Sequence, residues 1–132
     1  MPVQWRSNKQ PLTSYASATA EIYAFSEAVK DAQLLLWRAE DLGVRVKWPC
    51  EIYEDNAATV SFQKATVLDS KVKGVYNLRW DWVRELRDAS KIKAVKVDTD
   101  KNVADLLTKC QEGYHMQKLL KIIGYDVEPS YT

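Results

Sequence analysis

A short apolar run that ends in acidic residues constrains the fold of this chain more than any other feature. The run occupies residues 52–56 and reads I-Y-E-D-N. Its apolar part indicates a buried strand over residues 50–53, and Asn56 can cap a short helix that ends near residue 64. Asp55 therefore lies at the C-terminal end of a strand, which is where ligands usually bind in α/β sheets.

The stretch before this strand predicts one long amphipathic helix. Ser17 can cap its N-terminus and Gly43 is a typical C-terminal stop. The apolar residues recur at three- and four-residue spacing and form one stripe: Ile22, Phe25, Val29, Ala32, Leu35, Leu36, Ala39 and Leu42. Glu21 lies one turn before Phe25, so this carboxylate shares the buried side of the helix. Taken alone, Glu21 also fits an exposed first-turn acid that the helix dipole favours.

The rest of the chain alternates helices and strands. Residues 76–89 predict a second amphipathic helix, and residues 92–97 alternate apolar and basic side chains as a strand with one wet face does. Residues 103–110 and 114–123 predict two further helices. Val3 and Trp5 alternate as an edge or kinked strand would. This order of elements predicts the α/β class.

Asp105 is the third carboxylate that we single out. It lies in the first turn of a helix that Asn102 can cap, and like Glu21 and Asp55 it sits at the edge of an element in an apolar context. Carboxylates that converge in such places must either raise their pKa values or share cations. Two Mg²⁺ ions about 3.5–4 Å apart would suit phosphodiester cleavage. Each residue taken singly also has a plain structural explanation.

Five short motifs occur in a fixed order along the chain. They read W-R-S-N-K-Q-P at 5–11, A-E-I-Y-A-F-S-E-A at 20–28, D-N at 55–56, R-W-D-W-V-R-E at 79–85 and V-A-D-L-L-T-K at 103–109. The set resembles the ribonuclease H domain of copia-type retrotransposon polyproteins. That family reads W-S-S-K-K-Q-P, S-S-T-E-A-E-Y-x-A-L-S-E-A, D-N-x-S/A, R-Y-H-F-I-R-E and A-D-x-L-T-K. The resemblance runs from about residue 2 to residue 123.

The resemblance implies a metal-dependent nuclease. Glu21, Asp55 and Asp105 would be catalytic and would be three of the family's four metal-binding carboxylates, in a two-ion Mg²⁺ site. The substrate would be an RNA/DNA hybrid whose RNA strand is hydrolysed, distinguished by its A-form-like shape and its 2′-hydroxyls. The fold would be a partial ribonuclease H-like α/β fold with a mixed sheet flanked by helices. The domain would span residues 1–124, and residues 125–132 would form a C-terminal tail.

The chain departs from the family pattern at its N-terminus. The family's first metal-binding Asp lies on a strand before the motif at 5–11, and we expect the first two strands to be missing here. The strand that ends at Asp55 would then have an open apolar edge, which invites pairing with another chain. We expect either a strand-swapped homodimer or a separate chain that supplies the missing strands.

This departure leaves the enzymatic role open. One hypothesis is the C-terminal part of a retroelement ribonuclease H, active once completed. The alternative is a degenerate or domesticated ribonuclease H-like module, catalytically inactive, that serves as a structural or binding component of an assembly. A small nucleotide binder is disfavoured because no Gly-rich phosphate loop follows any predicted strand.

The charge distribution fits either ordinary solvated surface charge or a polyanionic partner. Residues 21–55 carry eight acidic and four basic residues, whereas residues 64–101 carry ten basic and six acidic ones. A basic flank beside an acidic centre is how a metal-dependent nuclease would hold nucleic acid. Our candidates for backbone contacts are four cationic side chains, which otherwise fit a solvated surface: Lys9, Lys71, Lys73 and Arg79.

The cysteines and the hydropathy set the expected environment. Cys50 and Cys110 are isolated, and with a single His in the chain a zinc site is not expected. Two buried or half-buried free thiols favour a reducing, intracellular location, either cytoplasmic or nuclear. No apolar run approaches the ~20 residues that a membrane helix needs, so we expect no membrane partner.

Overall fold

The structure is a computed structural model that describes residues 2–9, 17–64 and 76–125, with the side chains of 17–19, 62–64 and 76–78 left out. Its elements confirm the α/β class: α1 Ser17–Asp41, β1 Cys50–Glu54, α2 Ala57–Lys64, α3 Tyr76–Asp88, β2 Ile92–Lys96, the 3₁₀ segments Thr99–Lys101 and Val103–Leu107, and α4 Gly113–Ile122. The chain divides into two compact units, which we call the central unit (residues 12–96) and the terminal unit (residues 1–11 and 97–132). The predicted tail beyond residue 125 lies outside the described residues.

The sheet of the central unit is a parallel pair. β1 and β2 are hydrogen-bonded with Cys50 opposite Ile92 and Glu54 opposite Lys96, and these are the two strands of the described sheet. β2 buries its apolar side chains and exposes its lysines, as the alternation predicts. The prediction of a fully buried β1 is wrong, because alternate side chains of this strand face solvent and Tyr53 is 61% exposed.

The core of the central unit lies between the sheet and the N-terminal half of α1. Its buried members come from α1, α2, α3 and β2: Phe25, Val29, Val60, Val83, Ile92 and Ala94. The predicted stripe of α1 is wrong at Leu35, which is 37% exposed, and at Leu42, which is 83% exposed, whereas its other members in the C-terminal half are at least half-buried. The 25 residues of α1 span about 37 Å. The five-residue strands span about 17 Å, less than half the length of the helix.

Local signals at the helix ends behave as predicted. Gly43 has φ +78°, and the N–H of Val44 donates to the carbonyl of Ala39 at 2.9 Å, which closes the end of α1. The side chain of Asn56 accepts hydrogen bonds from the N–H groups of Ala58 (2.9 Å) and Thr59 (3.2 Å) at the start of α2.

The terminal unit corrects two predictions. Residues 2–9 contain no strand, and Val3 and Trp5 are 79% and 69% exposed. An alternating segment needs a neighbouring strand to complete its hydrogen bonds. The predicted helix over residues 103–110 is a shorter 3₁₀ segment, Val103–Leu107, although Asn102 caps it by accepting from the N–H of Ala104 at 3.2 Å.

The two cysteines are both free, with Cys50 half-buried and Cys110 exposed. The expectation of partial burial therefore fails for Cys110. No described helix combines the length and the apolar character that a membrane crossing requires.

Candidate carboxylate site and nucleic-acid interface

Three carboxylates of the central unit interact around the C-terminal end of β1. Glu54 is the last residue of β1, Asp55 follows it directly, and Glu21 lies near the start of α1. The pKa of Glu54 is raised to about 7, mainly because burial disfavours its charged form. Repulsion from Glu21 and Asp55 and a side-chain hydrogen bond to Asp55 raise it further. The N–H of Asn56 donates to Glu54 Oε1 at 2.9 Å and opposes this rise.

Two of the three predicted acids thus raise the pKa of the same carboxyl group, that of Glu54. Glu21 and Asp55 come from positions far apart in sequence, and both influence the ionisation of Glu54. Such a group of oxygen donors with mutual repulsion is the donor chemistry that Mg²⁺ prefers. Within residues 2–9, 17–64 and 76–125, however, no group of three or more His, Cys, Asp or Glu side chains is arranged to hold a metal ion.

Sequence reasoning missed Glu54 as a member of the cluster. The signal was present, since side chains two apart on a strand share a face and Glu54 is two residues after Ile52. Ile52 packs against the core of the central unit, and Glu54 is half-buried.

Asp105 lies in the terminal unit and is buried there, with 5% of its surface exposed. Its Oδ2 accepts a hydrogen bond from Lys109 Nζ at 2.9 Å, one helical turn further along the chain. Its backbone carbonyl accepts from the N–H of Lys109 at 3.0 Å. Asp105 is thus a buried carboxylate with a local cationic partner.

Arg79 is the predicted nucleic-acid contact that the structure describes most fully. Its guanidinium lies over the ring of Tyr23, 4.4 Å from the centroid, pairs with the carboxylate of Glu27 and approaches Ser26 Oγ at 3.4 Å. The hydrogen bond to Glu27 raises the pKa of Arg79. Three neighbours therefore fix this cation between α1 and α3.

The other predicted contacts are described less fully. Lys9 is exposed in the terminal unit. Lys71 and Lys73 lie outside the described residues.

This chain resembles a short part of several much longer polyproteins. It is 28% identical over 122 residues, 92% of its length, to the retrovirus-related Pol polyprotein from transposon TNT 1-94 of Nicotiana tabacum. It is 27% and 26% identical, over 93% of its length, to those from transposons RE1 and RE2 of Arabidopsis thaliana.

The chain spans only 8–9% of the length of these relatives. No family model matches it, and no solved structure matches it significantly. Its homologues are therefore retrovirus-related Pol polyproteins from plant copia-type transposons, at low identity.

Proposed function

We propose that this chain is the C-terminal part of a retroelement ribonuclease H domain, which hydrolyses the RNA strand of RNA/DNA hybrids when the missing strands complete it. The observation that carries the proposal is the similarity of more than nine-tenths of the chain to Pol polyproteins. The motif order supports it, as does the influence of Glu21 and Asp55 on the pKa of Glu54.

In this proposal the carboxylate oxygens of Glu21 and Asp55 help to hold Mg²⁺, and Asp105 is the third ligand of this chain. When bound, two Mg²⁺ ions supply an activated water and stabilise the charge on the leaving oxygen. Before any metal binds, burial and the neighbouring acids raise the pKa of Glu54 to about 7, so this group can carry a proton near neutral pH. The RNA strand is recognised through its phosphates and 2′-hydroxyls.

A cleavage assay tests the proposal directly. We expect the chain alone to leave a 5′-labelled RNA/DNA hybrid intact in Mg²⁺, and cleavage of the RNA strand to appear when a fragment that carries the missing strand pair and its Asp is added. Asp55→Asn should abolish this cleavage because it removes one ligand charge from the cluster. Asp41→Asn, at the exposed end of α1, is the matched control and should cleave normally.

A complete lack of cleavage in every mixture, with binding of the added fragment intact, would reject the nuclease and favour the alternative. That alternative is a catalytically inactive module retained in an assembly. The observation that favours it is that the described side chains include no group arranged to hold a metal ion.

We also propose that β1 pairs with a strand from another chain, either a second copy or a separate polypeptide. Across the described residues β1 is bonded to β2 on one side only. A strand edge with unpaired backbone groups is a template for a further strand. Tyr53, 61% exposed on this strand, adds apolar surface beside that edge.

Sedimentation velocity tests the pairing. We expect the chain to associate at micromolar concentration, and Tyr53→Lys to shift it towards monomer because a lysine at an edge opposes pairing. Tyr114→Lys is the control, since Tyr114 is 82% exposed on α4 of the terminal unit. A well-folded wild-type monomer at this concentration would exclude pairing with a second copy. Failure of the added fragment to bind this monomer would exclude pairing with a separate polypeptide as well.

A further inference from the structure

A cavity of about 430 Å³ lies between α1 and α3 of the central unit. Among the described residues, its lining consists of Ser26, Lys30, Arg79 and Trp82. Ser26 and Lys30 are four residues apart on α1, and Arg79 and Trp82 are three residues apart on α3, so each pair occupies one face of its helix. This space is open to solvent over much of its extent, so a ligand would lie against it rather than be enclosed by it.

The charges around this cavity favour an anion. Lys30 is exposed and, in the part of the chain that the structure describes, has neither an ion-pair nor a hydrogen-bond partner. Arg79 is neutralised by Glu27, which leaves the charge of Lys30 uncompensated. Burying this lone cation against an anion would satisfy both charges.

The other described residues that line the cavity are held in place by their neighbours. The guanidinium of Arg79 is fixed by Tyr23 and Glu27, and Ser26 Oγ is itself fixed by donating to the carbonyl of Tyr23 at 2.7 Å. Trp82 packs against the core of the central unit and presents its remaining surface to the cavity. A site whose groups are already held in place loses little conformational entropy when it binds.

We propose that this cavity binds one nucleotide unit of a single-stranded nucleic acid, with its phosphate on Lys30 and its base against Trp82. An aromatic platform beside a cation is the arrangement that holds unpaired nucleotides. The choice of nucleic acid over another polyanion rests on the proposed function. The cavity itself is a separate place, since Lys30 lies nine residues, about 13 Å along the helix axis, beyond Glu21.

The test is a fluorescence anisotropy titration of the full chain with a labelled eight-residue oligo(dT) in EDTA. We expect Lys30→Gln to weaken binding about three- to tenfold and to reduce the slope of log K against log [salt] by about 0.7, the value for one contact to a single strand. Trp82→Leu should weaken binding at least about fivefold with an unchanged slope, because stacking is lost and no charge is removed.

Two matched variants control for non-specific effects. Lys93→Gln removes an exposed lysine of β2, and Trp37→Leu removes a tryptophan that is 50% exposed on α1 outside the cavity. Both should bind like the wild type. Circular dichroism melts of the four variants check that each is folded, and Lys30→Gln retains a readout even where Trp82→Leu is unstable.

Competition identifies the ligand. A nucleoside monophosphate should displace the probe at a lower concentration than inorganic phosphate does, because it also offers a base. Equal effects of Lys30→Gln and Lys93→Gln, or equal displacement by a poly-glutamate peptide, would overturn the inference.

The inference and the proposed function can fail separately. Binding is measured without Mg²⁺, so oligonucleotide binding that depends on Lys30 and Trp82 upholds the cavity even if no hybrid is ever cleaved. Normal cleavage by the completed domain, with oligonucleotide binding indifferent to both variants, would reject the cavity alone.

Discussion

Glu54→Gln is expected to stabilise the chain by about 1–2 kcal/mol at pH 8 and to leave its stability unchanged at pH 4. The pKa of Glu54 is raised from 4.5 to about 7 in the folded chain. The full shift corresponds to an upper limit of about 3 kcal/mol, and we expect less because Glu54 is half-buried and solvent screens its charge. Gln keeps the shape of the side chain and removes the charge.

The direction follows from proton linkage. Between about pH 4.5 and pH 7 the folded chain holds a proton on Glu54 that the unfolded chain has released. The contribution of Glu54 to stability therefore falls as pH rises through this window, and the loss is complete above pH 7. Below pH 4.5 both states are protonated, so the variant and the wild type should coincide.

Urea denaturation at pH 4, 6 and 8 measures this difference. Glu51→Gln is the matched control, because Glu51 is exposed on the same strand and a Gln there can still accept the hydrogen bond that Tyr53 donates at 2.9 Å. A gain at pH 8 from Glu54→Gln that is no larger than the gain from Glu51→Gln would contradict the burial and repulsion assigned to Glu54.

Gln33→Leu is expected to raise the free energy of unfolding by about 1–2 kcal/mol at any pH. Gln33 is 1% exposed on α1, one turn after the fully buried Val29. Neither its Nε2 nor its Oε1 has a hydrogen-bond partner among the side chains and backbone that the structure describes. A buried amide without partners costs about 1–3 kcal/mol, and Leu of similar volume removes this cost while it adds apolar burial.

Thermal and chemical denaturation of two variants separate the amide from its volume. Gln33→Leu should stabilise, whereas Gln33→Ala should not, because the smaller side chain leaves a cavity beside Val29. If Gln33→Leu instead lowers stability by 1 kcal/mol or more, the amide forms a bond that the described contacts do not include.

The features predictable from the sequence are those with local causes. Asn56 acts through its capping side chain and Gly43 through its positive φ, so the boundaries of the helices beside them were predicted within a residue or two. The periodicity of residues 76–88 and 92–96 was equally local. The α/β class follows from these elements.

The features that sequence reasoning missed depend on contacts between distant residues. Leu42, just past the end of α1, is exposed, and the spacing of apolar residues within α1 does not encode which elements pack there. Val3 and Trp5 have the alternation of a strand and lack a partner for it in the described chain. The spacing of apolar residues predicts which side of a helix or strand is apolar. It does not predict which other part of the protein covers that side.

In the candidate site, too, some residues could be predicted from the sequence and others could not. Glu21 and Asp55 were predicted from the motif order, and both act on one carboxyl group. Glu54 was overlooked because a Glu at a strand end is common, and only its placement between two other acids makes it unusual. The internal engagement of Arg79 with Glu27 and Tyr23 likewise requires α1 and α3 to be packed.

The parallel pairing of β1 and β2 also has a consequence for synthesis on the ribosome. The strands are neighbours in space, but residues 55–91, 37 residues, separate them in sequence. At a translation rate of about 5–20 residues per second, β2 follows β1 after about 2–7 s. During that interval β2 is not yet available to pair with the nascent β1. A strand from another polypeptide can therefore pair with β1 first. The order of synthesis therefore gives a partner chain its best access before this domain is complete.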